Sequence, residues 1–311
     1  MATPYVTPAM ITNAPTGISW SIIPFPKATT PQQLAEQTNM CFRAMGLVNG
    51  YCNQVLRATV DTEVLSGPDY RITMEQHTGN ARIILSRWPV TQVLAMQISA
   101  NAAFPRQWVQ VPAGFFDVEY PVIGVYNTNT PSSSGEGGQS ILLAPGYVTW
   151  ALGRRGYRVS TTYENGWPHA GVTTAATVND TTLHVDDVTA FADANAFIYD
   201  GASSEQVHVT SIAATTPLVL PNGGGTAQAG PGILTLSSPL AYSHLAGTVI
   251  SSIPQDILWA TILATASQAL EAGITSVSIQ NIPGSLTTGG HGVSDMKTEY
   301  ELILNPYKRV I

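Results

Sequence analysis

Charge is what this sequence has least of. Asp, Glu, Lys and Arg make up 11% of the 311 residues, against roughly 25% in ordinary soluble domains. A surface so short of charge is covered by Ser, Thr, Asn, Gln, Gly and Ala, or by other subunits. Large permanent interfaces are themselves depleted in charge, so burial in an assembly fits the composition, as does a polar but uncharged monomer. The shortage is also uneven. All 13 Lys and Arg fall within 1–158 and 297–309. The stretch 159–296 has none, yet it carries Glu164, Asp180, Asp186, Asp187, Asp193, Asp200, Glu205, Asp256 and Glu271. A segment without cations cannot hold nucleic acid by neutralising phosphate, and a net charge of −7 argues against general DNA affinity.

Cysteine is nearly missing. Cys41 and Cys52 stand alone, eleven residues apart in what reads as one helix, which separates them by roughly 16 Å and excludes a disulfide between them. Reduced, buried thiols are expected, and with no nearby His they do not suggest zinc. No window reaches the ~18 apolar residues needed to cross a bilayer. The first 30 residues have Pro4, Pro8, Pro15, Pro24 and Pro26 and no basic start before an apolar run, so they read as an extended arm rather than a signal peptide. G-x-S-x-G, H-E-x-x-H, Walker A and G-x-G-x-x-G are all absent. The six His are scattered, and His184 and His208, in predicted strands, read as structural. Asp186-Asp187 with Asp193, or Asp200 to Glu205, offer oxygens to calcium, but acidic turns are common in β modules and no EF-hand spacing is matched. No catalytic residue, metal or cofactor is expected.

What is present is a sequence of helix, strands, strands and helix. Thr30-Pro31-Gln32-Gln33 reads as a capped helix start, with Thr30 at the N-cap. Leu34, Cys41, Met45, Val48, Cys52 and Val55 then give one apolar stripe to about Leu56. Gly46 and Gly50 interrupt it, either admitting a close neighbouring helix or simply tolerated. From Tyr70 to Tyr163 the pattern shifts to short strands bounded by Gly, Pro, Asn and Ser. Within them, 127–140 is too polar to pack and long for a hairpin loop, which marks it as disordered or a contact loop. A cation-free block, 172–252, reads as a compact all-β insertion. A small-residue helix from Ile253 to Ala272, a Gly-rich loop (282–292) and a last helix from Ser294 to Leu304 follow. The basic groups Arg154-Arg155 and Lys308-Arg309 read first as a solvated turn and a solvated tail.

Five stretches, in this order, resemble the head-to-tail connector (adaptor) proteins of long-tailed double-stranded-DNA phages, the siphophages. They are the opening helix through Val48-Asn-Gly-Tyr-Cys-Asn-Gln-Val-Leu56; Ile83-Ile-Leu-Ser-Arg-Trp-Pro-Val-Thr-Gln-Val93; Arg158-Val-Ser-Thr-Thr-Tyr-Glu-Asn-Gly-Trp167; Ile253-Pro-Gln-Asp-Ile-Leu-Trp-Ala260; and Leu304-Asn-Pro-Tyr-Lys-Arg-Val310. The compact family joins the third to the fourth by a brief linker, where about 85 residues intervene here.

The resemblance implies an α+β fold. It would have a helical adaptor core (N-terminal, Ala-rich central and C-terminal helices) with an antiparallel β region, over 31–171 and 253–311. A small all-β domain is inserted at 172–252, and 1–30 is an extended N-terminal arm. The implied function is structural and non-enzymatic: a homo-oligomeric ring of twelve copies at the neck of the virion, made in the host cytoplasm. The ring would join the portal protein to a stopper or tail-completion protein, and DNA would pass through its channel without sequence-specific binding or any membrane. Tyr307, Lys308, Arg309, Val310 and Ile311 are the portal-contact candidates. Ser132, Ser133, Ser134, Gly135, Glu136, Arg154 and Arg155 are the channel or partner-loop candidates. The inserted module is expected at the periphery. The rival reading is a phage decoration or receptor-binding module using the β insertion, and a carboxylate-pair hydrolase comes third.

Overall fold

The computed structural model describes residues 3–24, 28–66, 69, 71–74, 81–99, 106–119, 140–143, 158–271 and 293–309. Its architecture corrects the fold expected above. It is mostly β, with 33% of the described residues in strands, four helices, and a nearly closed six-stranded sheet. It is not a helical core carrying a minor β addition. The reason is pairing. Strands that read singly as a β region assemble into two sheets packed on each other, and the cation-free block curls into a barrel. The helices supply one layer only.

That layer begins with α1 (Pro8–Asn13), capped by the Thr7 hydroxyl, so the N-terminal segment is folded rather than extended. Tyr5, Val6, Ile11, Trp20 and Ile23 pack into the core beside α2 (Thr30–Cys52). The α2 capping box lies one residue earlier than predicted: Thr29 is the N-cap and Gln32 returns the bond. The helix ends at Asn53, whose left-handed φ of 54° breaks the ladder before Leu56. Cys41, Val48 and Cys52 face inward with Met40 and Ala44, while Leu34 is 54% exposed in the first turns. Gly46 and Gly50 face open space. α3 (Gln255–Glu271) is buried around most of its circumference. α4 (Val293–Leu304) packs on it through Met296, Tyr300 and Leu304.

β1 (Thr59–Ser66), β4 (Val90–Ser99), β5 (Val109–Gln110) and β8 (Arg158–Asn165) form one antiparallel sheet in the order β1-β8-β4-β5. β2 (Ile72–Met74), β3 (Ala81–Ile84), β6 (Phe116–Glu119) and β7 (Ser140–Leu143) form a second, in the order β2-β3-β7-β6. Leu65, Val90, Met96, Ile98, Val159 and Tyr163 of the first meet Ile83 and Leu85 of the second in one apolar core. Alternation along strands makes this possible, since every second side chain points to the same face.

The barrel runs in the order β10-β15-β12-β11-β16-β9. Its strands are β9 (His169–Gly171), β10 (Thr182–Val185), β11 (Ala194–Tyr199), β12 (Glu205–Ala214), β15 (Gly232–Leu236) and β16 (Val249–Ser251). A single antiparallel bridge, Val172 to Val185, brings its first and last strands together. Leu183, Val185, Phe191, Ile198, Val209, Leu234 and Ile250 fill the interior. A side hairpin of β13 (Leu218–Val219) and β14 (Thr226–Ala227) reaches the first sheet, where Leu220 and Ala227 pack on Ala95. Among the described residues, no helix is long and apolar enough to cross a membrane.

Candidate interaction surface

The acidic residues of the block without Lys or Arg have backbone groups, hydroxyls and histidine rings as partners. Asp187 Oδ1 accepts the N–H of Thr189 (3.0 Å) and of Gly230 (3.2 Å). Asp180 accepts the N–H and hydroxyl of Thr177. Glu205 accepts the N–H groups of Ala241 and Tyr242. Asp186 holds the Gly171 N–H at 2.7 Å with one oxygen and the Thr3 hydroxyl at 2.7 Å with the other. Backbone donors, hydroxyls and the rings of His208 and His244 therefore do the work that Lys and Arg do elsewhere. Among the described residues, no group of three or more His, Cys, Asp or Glu is placed to hold a metal.

The Asp186–Thr3 bond belongs to a strap that ties the N-terminal segment to the rest. His169 is buried in β9, its Nε2 3.0 Å from the Pro4 carbonyl and its Nδ1 3.0 Å from the Ser251 hydroxyl. Burial drives its ring to about 4, so it is neutral at pH 7. Tyr5 packs edge-on against that ring. The Tyr5 hydroxyl donates to Asn49 Oδ1 (2.7 Å) and accepts from the N–H groups of Leu56 and Arg57 (both 3.0 Å). Burial raises the Tyr5 phenol to about 12, so it stays a donor. His184 is exposed and His208 half-buried beside Asp193, so the enclosed histidines are His169 and His244 instead.

A second junction lies where α2 ends. Trp88 stacks on Tyr307, with ring centroids 6.1 Å apart and planes 12° apart. Trp167 meets both rings edge-on, at 5.8 Å from Trp88 and 5.6 Å from Tyr307. Such geometry suits the quadrupoles of aromatic rings. The Tyr307 hydroxyl donates to Asp256 Oδ2 (2.7 Å), and its carbonyl accepts from Gln54 Nε2 (3.2 Å). Burial, then the Asp256 carboxylate, push the Tyr307 phenol well above its ordinary range.

The tail is fastened further along. The Tyr51 hydroxyl donates to Asn305 Oδ1 (2.6 Å), Lys308 Nζ lies 5.0 Å from the centre of the Tyr51 ring, and the Arg309 N–H donates to the Cys52 carbonyl (2.9 Å). Gly166 makes the approach of Trp167 possible. At φ +86° its missing Cβ would lie 2.5 Å from the Arg57 carbonyl oxygen. Trp167 N–H donates to the Leu56 carbonyl, and the Trp167 carbonyl accepts from Ala58 N–H.

Of the residues singled out in the sequence, the structure thus gathers Tyr307, Lys308 and Arg309 at one place. Tyr307 is an internal anchor, Lys308 is exposed and Arg309 half-exposed. Val310, Ile311, Ser132, Ser133, Ser134, Gly135, Glu136, Arg154 and Arg155 lie outside the described residues. Sequence reasoning quoted Trp88, Trp167, Tyr51 and Asp256 inside longer motifs without marking them as a site. Nothing in one-dimensional spacing says that positions 51, 88, 167, 256 and 307 touch. No protein family, curated protein or solved structure matches the chain.

Proposed function

We propose that this chain is a structural virion subunit, a head-to-tail adaptor that assembles as a ring of identical copies between the portal and a stopper or tail-completion protein. One observation carries the reading. The five stretches that resemble siphophage connectors, scattered over 260 residues, contribute to a single junction: Tyr51-Cys52, Trp88, Gly166-Trp167, Asp256 and Asn305 to Arg309. Motifs that merely decorated unrelated loops would have no reason to converge.

The charge-poor composition supports permanent burial against neighbours. A closed ring needs two different faces on each subunit, and exposed apolar residues on separate elements, such as Leu47 of α2 and Leu302 of α4, are available for them. Lys308 and the residues after it are the portal contact, anchored by Tyr307. Residues 132–136 and Arg154-Arg155 are the candidates for contact with a partner or with DNA in the channel. Electron microscopy of purified necks tests this. The expected image has one ring of this chain under the portal, and a double Lys308→Glu, Arg309→Glu variant yields heads lacking tails. A chain found only as a monomer in lysates and virions would sink the proposal.

A second reading, a decoration or receptor-binding module, is favoured by the exposed Val178, Tyr242 and Leu245 at one end of the barrel. It requires the chain on the outer surface of the particle instead.

A further inference from the structure

The barrel block has no Lys or Arg, yet it encloses a histidine between two carboxylates. The His244 side chain has no solvent exposure, against 33% for Asp200 and 12% for Glu205. Its Nδ1 lies 3.0 Å from Asp200 Oδ2 and its Nε2 2.9 Å from Glu205 Oε1. A neutral imidazole has one N–H and one lone pair, and a lone pair set 3 Å from a carboxylate oxygen is repelled. Two ionised acceptors on opposite sides of one ring require two ring protons.

We propose that His244 is held as an imidazolium and serves as a proton-dependent clamp, fastening the 240–247 loop to the 200–205 turn at one end of the barrel. The rest of the geometry fits a clamp. Glu205 also takes the N–H of Ala241 (3.0 Å) and of Tyr242 (3.1 Å), so one carboxylate grips both the ring and the loop backbone. His244 itself pairs with Ala176 through both backbone bonds, which fixes the loop on its other side. The 200–205 turn is closed by Ser204, whose hydroxyl accepts the Asp200 N–H.

The charged and titratable groups facing the ring are few. The turn brings Asp200 and Glu205, the two that touch it; on the neighbouring elements Asp180 is engaged by Thr177, and His208 pairs with Asp193 and lines a cavity of about 270 Å³ with Glu205. With a doubly protonated ring the site carries one net negative charge; after proton loss to solvent it carries two in a buried place. Burial pushes the Glu205 carboxyl up, but the Ala241 N–H, His244 and the Tyr242 N–H outweigh it and hold it below the ordinary carboxylate range. The clamp therefore persists in mild acid and opens on the alkaline side, freeing the loop that presents Tyr242 and Leu245 to solvent.

Nitrogen-15 spectra of the full chain test this directly. At about pH 6.5 both ring nitrogens of His244 should carry protons. Between about pH 6 and pH 9, amide protection of Ala241 and Tyr242, corrected for base-catalysed exchange, should fall at least tenfold. Asp200→Asn removes one ionised acceptor, so its ring needs one proton only; the protection should then lose its pH dependence. His244→Gln should lower the melting midpoint by about 5–10 °C. A singly protonated ring beside a protonated carboxyl in the wild-type chain at neutral pH would overturn the proposal. So would amide protection that stays flat across that range.

Discussion

Residues 169–251 close a barrel out of strands that all lie within one continuous stretch of the chain, whereas the junction around Trp167 gathers segments from both ends and the middle of the chain. The two pay for order differently. In the barrel only β11 and β12 pair across a short turn, the other strands closing within the same stretch of chain, and acidic groups there bind backbone N–H groups close by. The junction joins Tyr51 to Asn305 across 254 residues, and it forms only once the sheets and helices are in place. Loop-closure entropy grows slowly with length, so such a contact is affordable, but it depends on everything between. The difference teaches where each region is fragile: the barrel in its interior packing, the junction at the few atoms that let distant segments touch.

The largest expected effect tests whether the two regions unfold separately. Phe191→Ala empties a fully buried site in the barrel and should cost about 3–5 kcal/mol. The barrel strands contain no Trp, so Trp fluorescence reports on the rest of the chain. Calorimetry should show the barrel transition moving down while the fluorescence midpoint stays. A common shift of both would erase the contrast.

Gly166→Ala attacks the junction instead. The added Cβ meets backbone, not a movable side chain, and φ is positive, so a loss of about 2–3 kcal/mol is expected, together with a red-shifted Trp emission. Unchanged emission would mean that the aromatic cluster does not depend on the Gly166 turn.

Acidity separates the regions further. Glu164, buried on the face of β8 that looks toward the barrel hairpin, is raised to about 7, first by burial and then by Asp187. Its folded form prefers the proton. That preference stabilises fully below the unfolded value of about 4.5 and is lost as pH climbs through about 7. Glu164→Gln should therefore add about 1–3 kcal/mol at pH 8 and little at pH 4, measured by urea titration at both. His169 runs the other way: with its ring lowered to about 4, its contribution is present above about 6.5 and fades as pH falls toward 4. The smallest change is Thr3→Val, which removes the hydroxyl bond to Asp186 at a cost of about 1 kcal/mol, read as faster exchange of the Gly171 amide.

Much of the element list was legible, because period-2 and period-3.6 patterns are local. The helices at 30–52, 255–271 and 293–304 and most strands follow from them. β1 escaped, although Val60, Thr62 and Val64 alternate with Asp61 and Glu63. Its acidic face is not left to solvent. In fact Glu63 binds Arg71, Ser86 and Tyr163, and Asp61 binds Asn165. The fold class was misjudged because pairing between strands, which decides whether β segments become sheets or trimmings, has no signature in a single sequence. The N-terminal prolines suggested an extended arm. Pro8 instead opens a helix, and Tyr5 and Ile11 find a core the local pattern does not announce. Of the candidate site, Tyr307, Lys308 and Arg309 were named beforehand, while their aromatic companions emerged only from the tertiary structure.

The pairing of β9 with β16, His169 opposite Ser251, has a consequence for how such a chain can change over generations. Entry to the barrel and exit from it are adjacent strands, so both covalent connections of the module pass through a doorway one strand spacing wide. A change of length inside it leaves the covalent path of the scaffold intact and disturbs contacts such as those that the side hairpin and Asp186 make outside the barrel. Variation among related chains should concentrate inside that doorway and stop at its posts.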